Sequence, residues 1–339
     1  MEPEAFDSAL AHWPDLQTRC SGLLLGNGAS RAIWRNFAYE SLFERAQRVR
    51  NKPLGQTDLA LFKSMGTESF EQVLSALNTT VRVNAALAIS SSSPLNRYYA
   101  IKEALIHALR SVHIPWRLVQ PQTLQTINHE LRQYERVYST NYDLLCHWAV
   151  QQQPEGFADL LHTDEGFNSA TIPAEGARVH YLHGGLHLLK NQDASTRQRS
   201  ASASNLLDGF AINTPGDVPL FVNESTAEDK LRMIRGSDYL SWCYGELAHH
   251  QGALCIFGHS LGRSDDHIVA AIQQSGVKQL LISVFPLSEA SIISQKQHYS
   301  RLFGAGGVSL EFFDSASHPL GDTGLNVPVE LLGPAKRRR

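Results

Sequence analysis

Short apolar runs recur along the chain and alternate with longer stretches in which apolar residues follow helical spacing. Apolar runs of this length are typical of strands that are covered on both faces of a sheet. Because the strands alternate with helical segments, the pattern predicts an α/β fold built on a parallel sheet flanked by helices. The predicted strands are Gly22–Leu25, Arg136–Ser139, Val179–Leu182, Val218–Val222, Ala253–Phe257, Gln279–Val284 and Val308–Phe313.

A long helical block separates the first predicted strand from the second. Glu68–Leu87 and Leu95–Val112 both carry apolar residues at helical spacing, and the Ser-rich stretch Ser90–Pro94 is predicted to be the loop between them. More than a hundred residues lie between the two strands, which is too long for a single crossover. The sequence therefore predicts a helical module, at about 57–133, that is inserted into the sheet or packed on it.

The domain boundaries follow from the same pattern. We expect a single domain over residues 1–333, whose core lies at about 20–50 and 134–314. The polar, Ser-rich stretch Lys190–Asn205 is predicted to be a mobile surface loop. The last residues, 334–339, are expected to form a solvated basic tail.

The composition is that of a folded globular protein, with 42% apolar and 19% charged residues. The formal net charge of −3 provides no general basic field for nucleic acid. The four cysteines are scattered without a Cys-x-x-Cys pair, which argues against a structural zinc site and a disulfide scaffold. No apolar stretch is long enough to span a bilayer, and the N-terminus lacks the order of a signal peptide. We therefore expect a cytoplasmic protein that binds neither membranes nor nucleic acid.

A Gly-rich turn, Gly26–Ser30 (GNGAS), follows the first predicted strand and precedes a predicted helix from about Arg31 to Arg48. Strand, glycine turn and helix in this order place backbone N–H groups and a helix N-terminus against a pyrophosphate. The same residues also fit a tight turn in which Ser30 caps the helix. The dehydrogenase fingerprint is excluded, because Arg31 occupies its third glycine position and no acidic residue ends a second strand about 20 residues later.

The second motif, Ser139–Asp143 (STNYD), comes directly after the second predicted strand. Polar residues at the carboxyl end of a parallel strand point into the crevice where such sheets bind ligands. Asn141 is therefore a candidate for holding a ribose hydroxyl or a water. For Asp143, the sequence favours capping of the following helix, predicted at Leu144–Val150, over a catalytic role.

The third motif, His183-Gly184-Gly185, follows the third predicted strand, and His183 is a candidate general base for a hydroxyl or a water. His180 and His187 nearby suggest a metal site of the form His-x-x-His-x-x-x-His. Strand residues three positions apart point to opposite faces, however, and a glycine pair intervenes before His187. We therefore expect no metal at these histidines or elsewhere in the chain.

The fourth motif, Gly258–Gly262 (GHSLG), follows the fifth predicted strand and matches the Gly-x-Ser-x-Gly signature of serine hydrolases. With Ser260 as the nucleophile, Asp314 and His318 would supply the acid and the base in the required chain order. A serine hydrolase leaves the other three motifs without a role, which disfavours it. His267 lies in the helix predicted to follow this motif and is interpreted as a helix-face residue.

The four motifs in this order resemble the sirtuin-like NAD-consuming superfamily, and especially its zinc-free prokaryotic branch linked to phage defence. The resemblance rests on LLLGNGAS, VYSTNYDLL, YLHGGLHL and FGHSLGRSDDHI, and it covers roughly Ser21 to Val284. It implies a Rossmann-like fold in which a Gly-x-Gly-x-Ser turn cradles the NAD pyrophosphate and a later Gly-x-Ser turn holds the adenosine side. It also implies an Asn that contacts the nicotinamide ribose and the water, and a His that acts as the base. The implied residues here are Gly26, Gly28 and Ser30; Asn141 and Asp143; His183; Gly258 and Ser260; and Asn27 at a solvent- or ribose-facing position.

The resemblance implies an enzyme, a NAD hydrolase that releases nicotinamide and leaves ADP-ribose in linear or cyclised form. The four-cysteine zinc module of protein deacylases is missing, which favours NAD over acyl-lysine substrates. Since unregulated NAD hydrolysis would poison the host, we expect an abortive-infection effector gated by a partner defence subunit, by assembly into a homo-oligomer or by a phage-derived trigger. Besides the serine hydrolase, two alternatives stay open. One is a non-catalytic sensor of NAD or ADP-ribose, and the other is a structural subunit in which Asn141 is a helix cap and His183 a core histidine.

Overall fold

The structure, a computed structural model of the chain, describes residues 6–16, 19–37, 41–161, 166–190, 195–199, 218–222 and 226–328. The predicted tail at 334–339 lies outside these residues. The strands within them are β1 (Gly22–Leu25), β2 (Arg136–Ser139), β3 (Arg178–Tyr181), β4 (Gly184–Lys190), β5 (Thr196–Gln198), β6 (Pro219–Phe221), β7 (Gln251–Phe257), β8 (Gly276–Val284) and β9 (Ser309–Asp314). The helices within them are α1 (Asn27–Ile33), α2 (Leu42–Arg48), α3 (Gln56–Met65), α4 (Phe70–Ala86), α5 (Ser92–Val112), α6 (Pro121–Leu131), α7 (Leu145–Gln152), α8 (Ala227–Arg235), α9 (Asp238–Ala248), α10 (Asp266–Gln274) and α11 (Glu289–Phe303).

Six of these strands form one parallel sheet in the order β3-β2-β1-β7-β8-β9. The chain moves outward from β1 to β3 on one side and then from β7 to β9 on the other, which is the order of the doubly wound dinucleotide-binding fold. The predicted α/β fold with a Rossmann-like parallel sheet is therefore confirmed. The strand order reverses between β1 and β7, and open parallel sheets bind their ligands at such a point.

The centre of this sheet is apolar on both faces. Leu23, Leu24 and Leu25 of β1 are buried, as are Cys255 and Ile256 of the adjacent β7. Successive side chains on a strand point to opposite faces, so three consecutive buried leucines require cover on both sides. Helices provide this cover, as the all-apolar runs predict.

A small antiparallel sheet, in the order β5-β4-β6, departs from the predicted topology. Its strand β4 begins directly after His183 and leads the chain away from the parallel sheet. The change of direction depends on Gly184, which has a φ of +72° and where a Cβ would collide with the carbonyl of Leu220. The predicted strand at Val218–Val222 exists as β6 but belongs to this small sheet.

The prediction of a surface loop over Lys190–Asn205 is wrong at Thr196–Gln198, because these residues form β5. β5 pairs with β4, and the hydroxyl of Thr196 bonds to Ser237 and Asp238 at the start of α9. These tertiary contacts stabilise a polar segment that has no strand pattern of its own. The rest of the predicted loop, apart from Lys190 and residues 195 and 199, lies outside the described residues.

The helices α2 to α6 fill the stretch between β1 and β2, where the sequence predicts a helical module. α4 and α5 correspond to the two predicted helices, but α5 begins at Ser92 and takes up part of the predicted loop Ser90–Pro94. Pro94 is compatible with this start, because the first N–H groups of a helix have no intrahelical partner. None of the described helices is long and apolar enough to cross a membrane.

The predicted continuous helix from Arg31 to Arg48 is wrong, because α1 ends at Ile33 and α2 begins at Leu42. Trp34 follows α1 in an extended conformation and is almost completely buried. Its indole N–H donates to the carbonyl of Val112 at the end of α5, at 3.0 Å. Packing against the helical module therefore overrides the local helical pattern.

All four cysteines are buried free thiols. Burial is the main cause that raises the pKa of Cys20 to about 12, and the nearby carboxylate of Glu311 is the second cause. A protonated, buried thiol behaves as a small apolar side chain. The cysteines accordingly belong to the core.

Candidate functional site

Four turns meet at the carboxyl edge of the parallel sheet and enclose a cleft of about 200 Å³. They follow β1, β2, β3 and β7, and so lie on both sides of the reversal in strand order. Three predicted site residues do not line the cleft, and they hydrogen bond to residues that do: Gly26, Gly28 and Ser30. The structure thus brings the four motifs together. The predicted site residues that line the cleft are Asn27, Asn141, Asp143, His183, Gly258 and Ser260.

Gly26 and Gly28 allow the turns after β1 and β7 to pack closely. A Cβ on Gly28 would lie 2.7 Å from the Cα of Gly258, and one on Gly26 would lie 2.5 Å from the Cα of His259. The N–H of Gly28 donates to the carbonyl of Gly258 at 2.7 Å, and that of Gly26 to the carbonyl of Phe257 at 3.0 Å. These two amides are used within the protein. The pyrophosphate cradle stays a prediction, and any donor to a phosphate at this turn must come from other atoms.

Asn141 is held by its amide nitrogen. Nδ2 donates to the carbonyl of Gly26 and to Oγ of Ser30, both at 2.9 Å. A backbone carbonyl can only accept, so this contact fixes the amide with Oδ1 turned away from Gly26. Oδ1 is buried and has no hydrogen-bond partner among the described residues. Because an unpaired buried acceptor costs about 1–3 kcal/mol, a hydroxyl or a water bound in the cleft would stabilise this side chain.

Asp143 and Ser30 complete the support of Asn141. Oδ2 of Asp143 accepts from the hydroxyl of Ser30 at 2.5 Å, and its Oδ1 accepts at 2.9 Å from the N–H of Leu145, the first residue of α7. Asp143 therefore bonds to the start of the helix, which is the structural role that the sequence favours for it. Ser30 donates its one proton to Asp143 while it accepts from Asn141. We refer to Ser30, Asn141 and Asp143 as the Asn141 network.

His183 lies in the sharp turn between β3 and β4 and is 5% exposed. Its Nε2 is 2.8 Å from Nε2 of His267 in α10, so one nitrogen donates and the other accepts. Burial, and next the charge of Lys230, lowers the pKa of His183 well below its ordinary value. The same two causes lower the pKa of His267 to about 4. Both imidazoles are neutral near pH 7, and His267, interpreted from the sequence as a helix-face residue, is instead a buried neighbour of His183.

A partly buried ion pair lies beside the two imidazoles. Nζ of Lys230 in α8 is 2.8 Å from Oδ1 of Asp265, and both side chains line the cleft. Burial acts to raise the pKa of Asp265, but the neighbouring His259 and Lys230 outweigh it and hold this pKa below its ordinary value. Asp265 is therefore ionised. We refer to His183, Lys230, Asp265 and His267 as the His183 cluster.

The turn after β7 lacks the geometry of a serine nucleophile. Its positive φ values fall on Gly258 (+67°) and Leu261 (+47°) and not on Ser260, whereas a nucleophile elbow strains the serine itself. The neighbouring His259 accepts at Nδ1 from the N–H of Leu261, at 3.1 Å. His298 approaches Ser260 at its backbone carbonyl, 2.9 Å from Nε2, and not at its hydroxyl.

The acid and base proposed for a serine hydrolase are also engaged elsewhere. Nδ1 of His318 accepts from the N–H of Leu320, and its Nε2 lies 3.2 Å from a carboxylate oxygen of Glu130 and 3.3 Å from the hydroxyl of Tyr134. Asp314 accepts from the N–H two residues further on. The described residues therefore do not assemble a triad around Ser260.

The three histidines of the sequence His-x-x-His-x-x-x-His do not converge. His180 stacks against Tyr138 and Trp242, with ring centroids 5.0 Å away in each case. His187 stacks on His147, with ring centroids 4.3 Å apart, and does not line the cleft. Of the three histidines, only His183 lines it. This separation agrees with the strand argument against a metal held by this set.

The model of a domain of unknown function, DUF4917, matches residues 23–320. The chain belongs to the DUF4917 family. The match begins in β1 and includes all four motif turns. No curated protein matches the chain. Membership in DUF4917 assigns no activity, so the resemblance to the sirtuin-like superfamily stays a prediction.

This DUF4917 chain also has a larger cavity, of about 840 Å³, beside α7 and the edge strand β3. Trp116, Trp148, Tyr181 and His187 are among its lining residues, and none of the four motif turns contributes to it. Size alone would favour this cavity as a ligand site. The smaller cleft combines the strand-order reversal with convergent polar side chains, and we take it as the candidate site.

Several residues of the site carry no recognisable sequence signal. Lys230 and His267 come from α8 and α10, and His113, at the end of α5, accepts through Nε2 from the N–H of Leu144. Burial lowers the pKa of His113. Within this set, only His267 has a signal in the sequence, because it follows Asp265 in the stretch FGHSLGRSDDHI that contains the fourth motif.

Proposed function

We propose that this protein is a NAD glycohydrolase, which cleaves the nicotinamide–ribose bond of NAD with water and yields nicotinamide, ADP-ribose and a proton. The observation that carries the proposal is the buried, unpartnered Oδ1 of Asn141 in a cleft that His183 also lines. An acceptor fixed in this way suits a ribose hydroxyl or the attacking water. The position of the cleft at the reversal in strand order adds support, because nucleotides bind there in doubly wound folds.

The reaction requires few catalytic groups from the protein. Nicotinamide is cationic while attached to the ribose and leaves as a neutral molecule, so no strong general acid is required. The bond breaks through an oxocarbenium-like ribose, as in other glycoside cleavage. Asn141 would hold the ribose or the water through Oδ1, and His183 would take the proton that the water or a ribose hydroxyl gives up. A positioned general base typically contributes about 10²–10⁴-fold to the rate.

The contact between the two imidazoles allows two forms of His183, and only one of them can act as a base. When His183 donates from Nε2 to Nε2 of His267, its Nδ1 carries a lone pair. When His267 is the donor, the Nε2 lone pair of His183 is occupied and its Nδ1 carries the hydrogen. We assign the first form to the active enzyme, because it leaves an acceptor on His183 for the substrate.

The cleft is smaller than a dinucleotide. Its volume of about 200 Å³ is below the range of about 300–1,000 Å³ that is usual for whole-ligand pockets. We therefore place the reacting ribose in the cleft, with the rest of NAD extending outside it. The only ammonium that lines the cleft within the described residues, Lys230, is paired with Asp265 and so contributes a fixed charge near the substrate.

The test is to incubate the purified full chain with NAD and to measure nicotinamide and ADP-ribose by chromatography. Asn141→Ala and His183→Ala should each lower the release of nicotinamide by about 100-fold or more. Asn168→Ala and His249→Gln, at exposed positions outside the cleft, are the matched controls and should act like the wild type. Wild-type release from both site variants would contradict the mechanism. Binding of NAD without turnover by the wild type would favour the sensor.

We further propose that the activity is gated and serves phage defence, an idea that rests on the resemblance alone. Cells that express the wild type should keep their NAD until infection and lose it afterwards. Cells that express His183→Ala should keep it throughout. Light scattering of the purified protein, alone and with candidate partner subunits, would show whether activity follows assembly into an oligomer.

A further inference from the structure

Three side chains, two that line the cleft and one directly behind them, place potential metal ligands close together. One nitrogen of His183, one nitrogen of His267 and a carboxylate oxygen of Asp265 all lie within 4.8 Å of one another. They come from the turn after β3, from α10 and from the helical turn that precedes α10. This trio differs from the histidine set in the sequence pattern, of which it shares only His183.

We propose that His183, Asp265 and His267 bind one transition-metal dication, for which Zn²⁺ is the representative, and that the bound metal inhibits the enzyme. Two imidazoles and one carboxylate are a common ligand set for Zn²⁺ with a position left open. Zn–N and Zn–O distances of about 2.0–2.1 Å put tetrahedral ligand atoms about 3.3 Å apart. The two Nε2 atoms, at 2.8 Å, must separate by about 0.5 Å, and the carboxylate must approach by at most about 1.5 Å.

The ligand set and its surroundings favour a transition metal over Mg²⁺ or Ca²⁺. Imidazole nitrogen suits zinc, copper, nickel and iron, whereas the hard cations need several oxygen ligands. Oδ1 of Asp265 is already bonded to the ammonium of Lys230, so one carboxylate oxygen remains for the metal. The ammonium of Lys230 also repels any bound cation. This repulsion weakens binding most for Mg²⁺ and Ca²⁺, because their affinity depends on carboxylate charge. Hydrogen bonding of a ligating carboxylate by a neighbour is usual at metal sites.

A second observation concerns the other nitrogen of His267. Its Nδ1 is buried and has no hydrogen-bond partner among the described residues. The imidazole of His267, which is 4% exposed, therefore has only His183 as a side-chain hydrogen-bond partner within them. The ring can exchange its one side-chain hydrogen bond, to His183, for a bond to a metal.

Inhibition follows from the tautomer of His183, and this step rests on the proposed function. To bind a metal through Nε2, both imidazoles must carry their hydrogen on Nδ1. His183 then has no lone pair left for a ribose hydroxyl or a water. The metal would thus hold the enzyme in an inactive form, and its removal would restore the base.

The experiment is a titration of the metal-stripped full chain with Co²⁺, followed by its visible d–d absorption, and then displacement of Co²⁺ by Zn²⁺. The wild type should bind one Co²⁺ per chain with a band typical of mixed nitrogen and oxygen ligands. His267→Gln and Asp265→Asn should each weaken binding by about tenfold or more, because each removes a ligand. His249→Gln, which removes an exposed histidine outside the cleft, should bind as the wild type does.

Binding that is absent from the wild type, or that is equal in the wild type and both ligand variants, would overturn the proposal. Thermal unfolding of each variant checks that it folds. If either unfolds, ring-nitrogen NMR of the wild type decides, since Zn²⁺ must shift the signals of two histidines and leave the rest unchanged. Binding is measured without NAD and so is separate from the enzymatic proposal. Co²⁺ binding without any NAD cleavage would sink the proposed function alone, whereas cleavage that Zn²⁺ does not inhibit would sink the inhibitory role.

Discussion

The two sides of the cleft are built in different ways. In the Asn141 network, Ser30, Asn141 and Asp143 bond to one another and to neighbouring backbone, and one acceptor, Oδ1 of Asn141, has no partner among the described residues. In the His183 cluster, two neutral imidazoles lie beside one ion pair, and the imidazoles have a single hydrogen bond between them. The first arrangement fixes one atom in place. The second leaves protons and charges that a ligand can rearrange.

Chemistry is expected where polar groups keep unused protons or lone pairs. A saturated network gains rigidity from each bond, and it presents the one atom that is left over in a defined direction. A cluster with few bonds is costly to bury, and it is retained where charge or proton transfer is useful. On this basis we assign positioning to the Asn141 network and proton transfer, or its inhibition, to the His183 cluster.

Acid is expected to act on the whole fold and not only on the cluster, and this is the largest effect that we predict. His147, His180 and His250 lie outside the cleft, and burial lowers their pKa values to about 4, 3 and 4. An unfolded histidine titrates near pH 6.5, so below that pH the unfolded chain binds more protons than the folded one. The stabilisation is complete above about pH 6.5 and is lost as the pH falls toward 4. From pH 7.5 to 5.5 the loss is about 1.4 kcal/mol for each histidine, or about 4 kcal/mol for the three.

Urea unfolding at the two pH values measures this change. His180→Phe should make the loss smaller by about 1.4 kcal/mol, the share of one histidine. Phenylalanine suits this position because His180 lies between two aromatic rings and its Nε2 has no hydrogen-bond partner among the described residues. A free energy of unfolding that stays level or rises on acidification would contradict the prediction. Because stability itself changes with pH, a pH profile of activity cannot isolate the His183 cluster.

The ion pair gives the next largest effect. Asp265→Ala should lower the free energy of unfolding by about 2–4 kcal/mol, because it leaves the ammonium of Lys230 buried without its carboxylate. The double variant Lys230→Met/Asp265→Ala should recover at least half of that loss, since it removes the stranded charge as well. Urea unfolding at pH 7.5 gives both values. Equal stability of the single and double variants would show that the charge pair is not what holds α8 against the cleft.

The sequence predicted the Asn141 network better than the His183 cluster, and the reason is the range of the contacts. Ser30, Asn141 and Asp143 follow adjacent strands, so the rule that parallel strands end at one edge brings them together. His183 meets His267 across 84 residues, and Lys230 meets Asp265 across 35, through helices whose packing has no local signal. The wrong continuous helix after Gly26–Ser30 has the same cause, since Trp34 leaves α1 for a long-range contact.

A smaller effect is expected in the Asn141 network. Ser30→Ala removes an acceptor from Asn141 and a donor from Asp143, both buried, and should lower the free energy of unfolding by about 1–2 kcal/mol. It should also lower the rate of NAD cleavage, because Asn141 keeps only its bond to Gly26. Ser64→Ala, at an exposed serine of α3, is the matched control and should stay within about 0.5 kcal/mol of the wild type. Unfolding in urea and nicotinamide release measure the two effects, and a Ser30→Ala enzyme with wild-type values in both would show that the network does not position Asn141.

Ser260 should give the smallest effect. Its side chain is exposed at the edge of the cleft, so Ser260→Ala should change the free energy of unfolding by less than about 0.5 kcal/mol. As a predicted ligand contact and not a nucleophile, it should reduce NAD cleavage far less than His183→Ala does. A serine-directed phosphonate should leave it unmodified, since a serine hydroxyl becomes nucleophilic only beside a base that an acid orients, and His318 is bonded to Glu130 and Leu320 instead. Mass spectrometry of the treated protein checks this point. Stoichiometric labelling of Ser260, together with ester hydrolysis that Ser260→Ala abolishes, would replace the NAD hydrolase with a serine hydrolase.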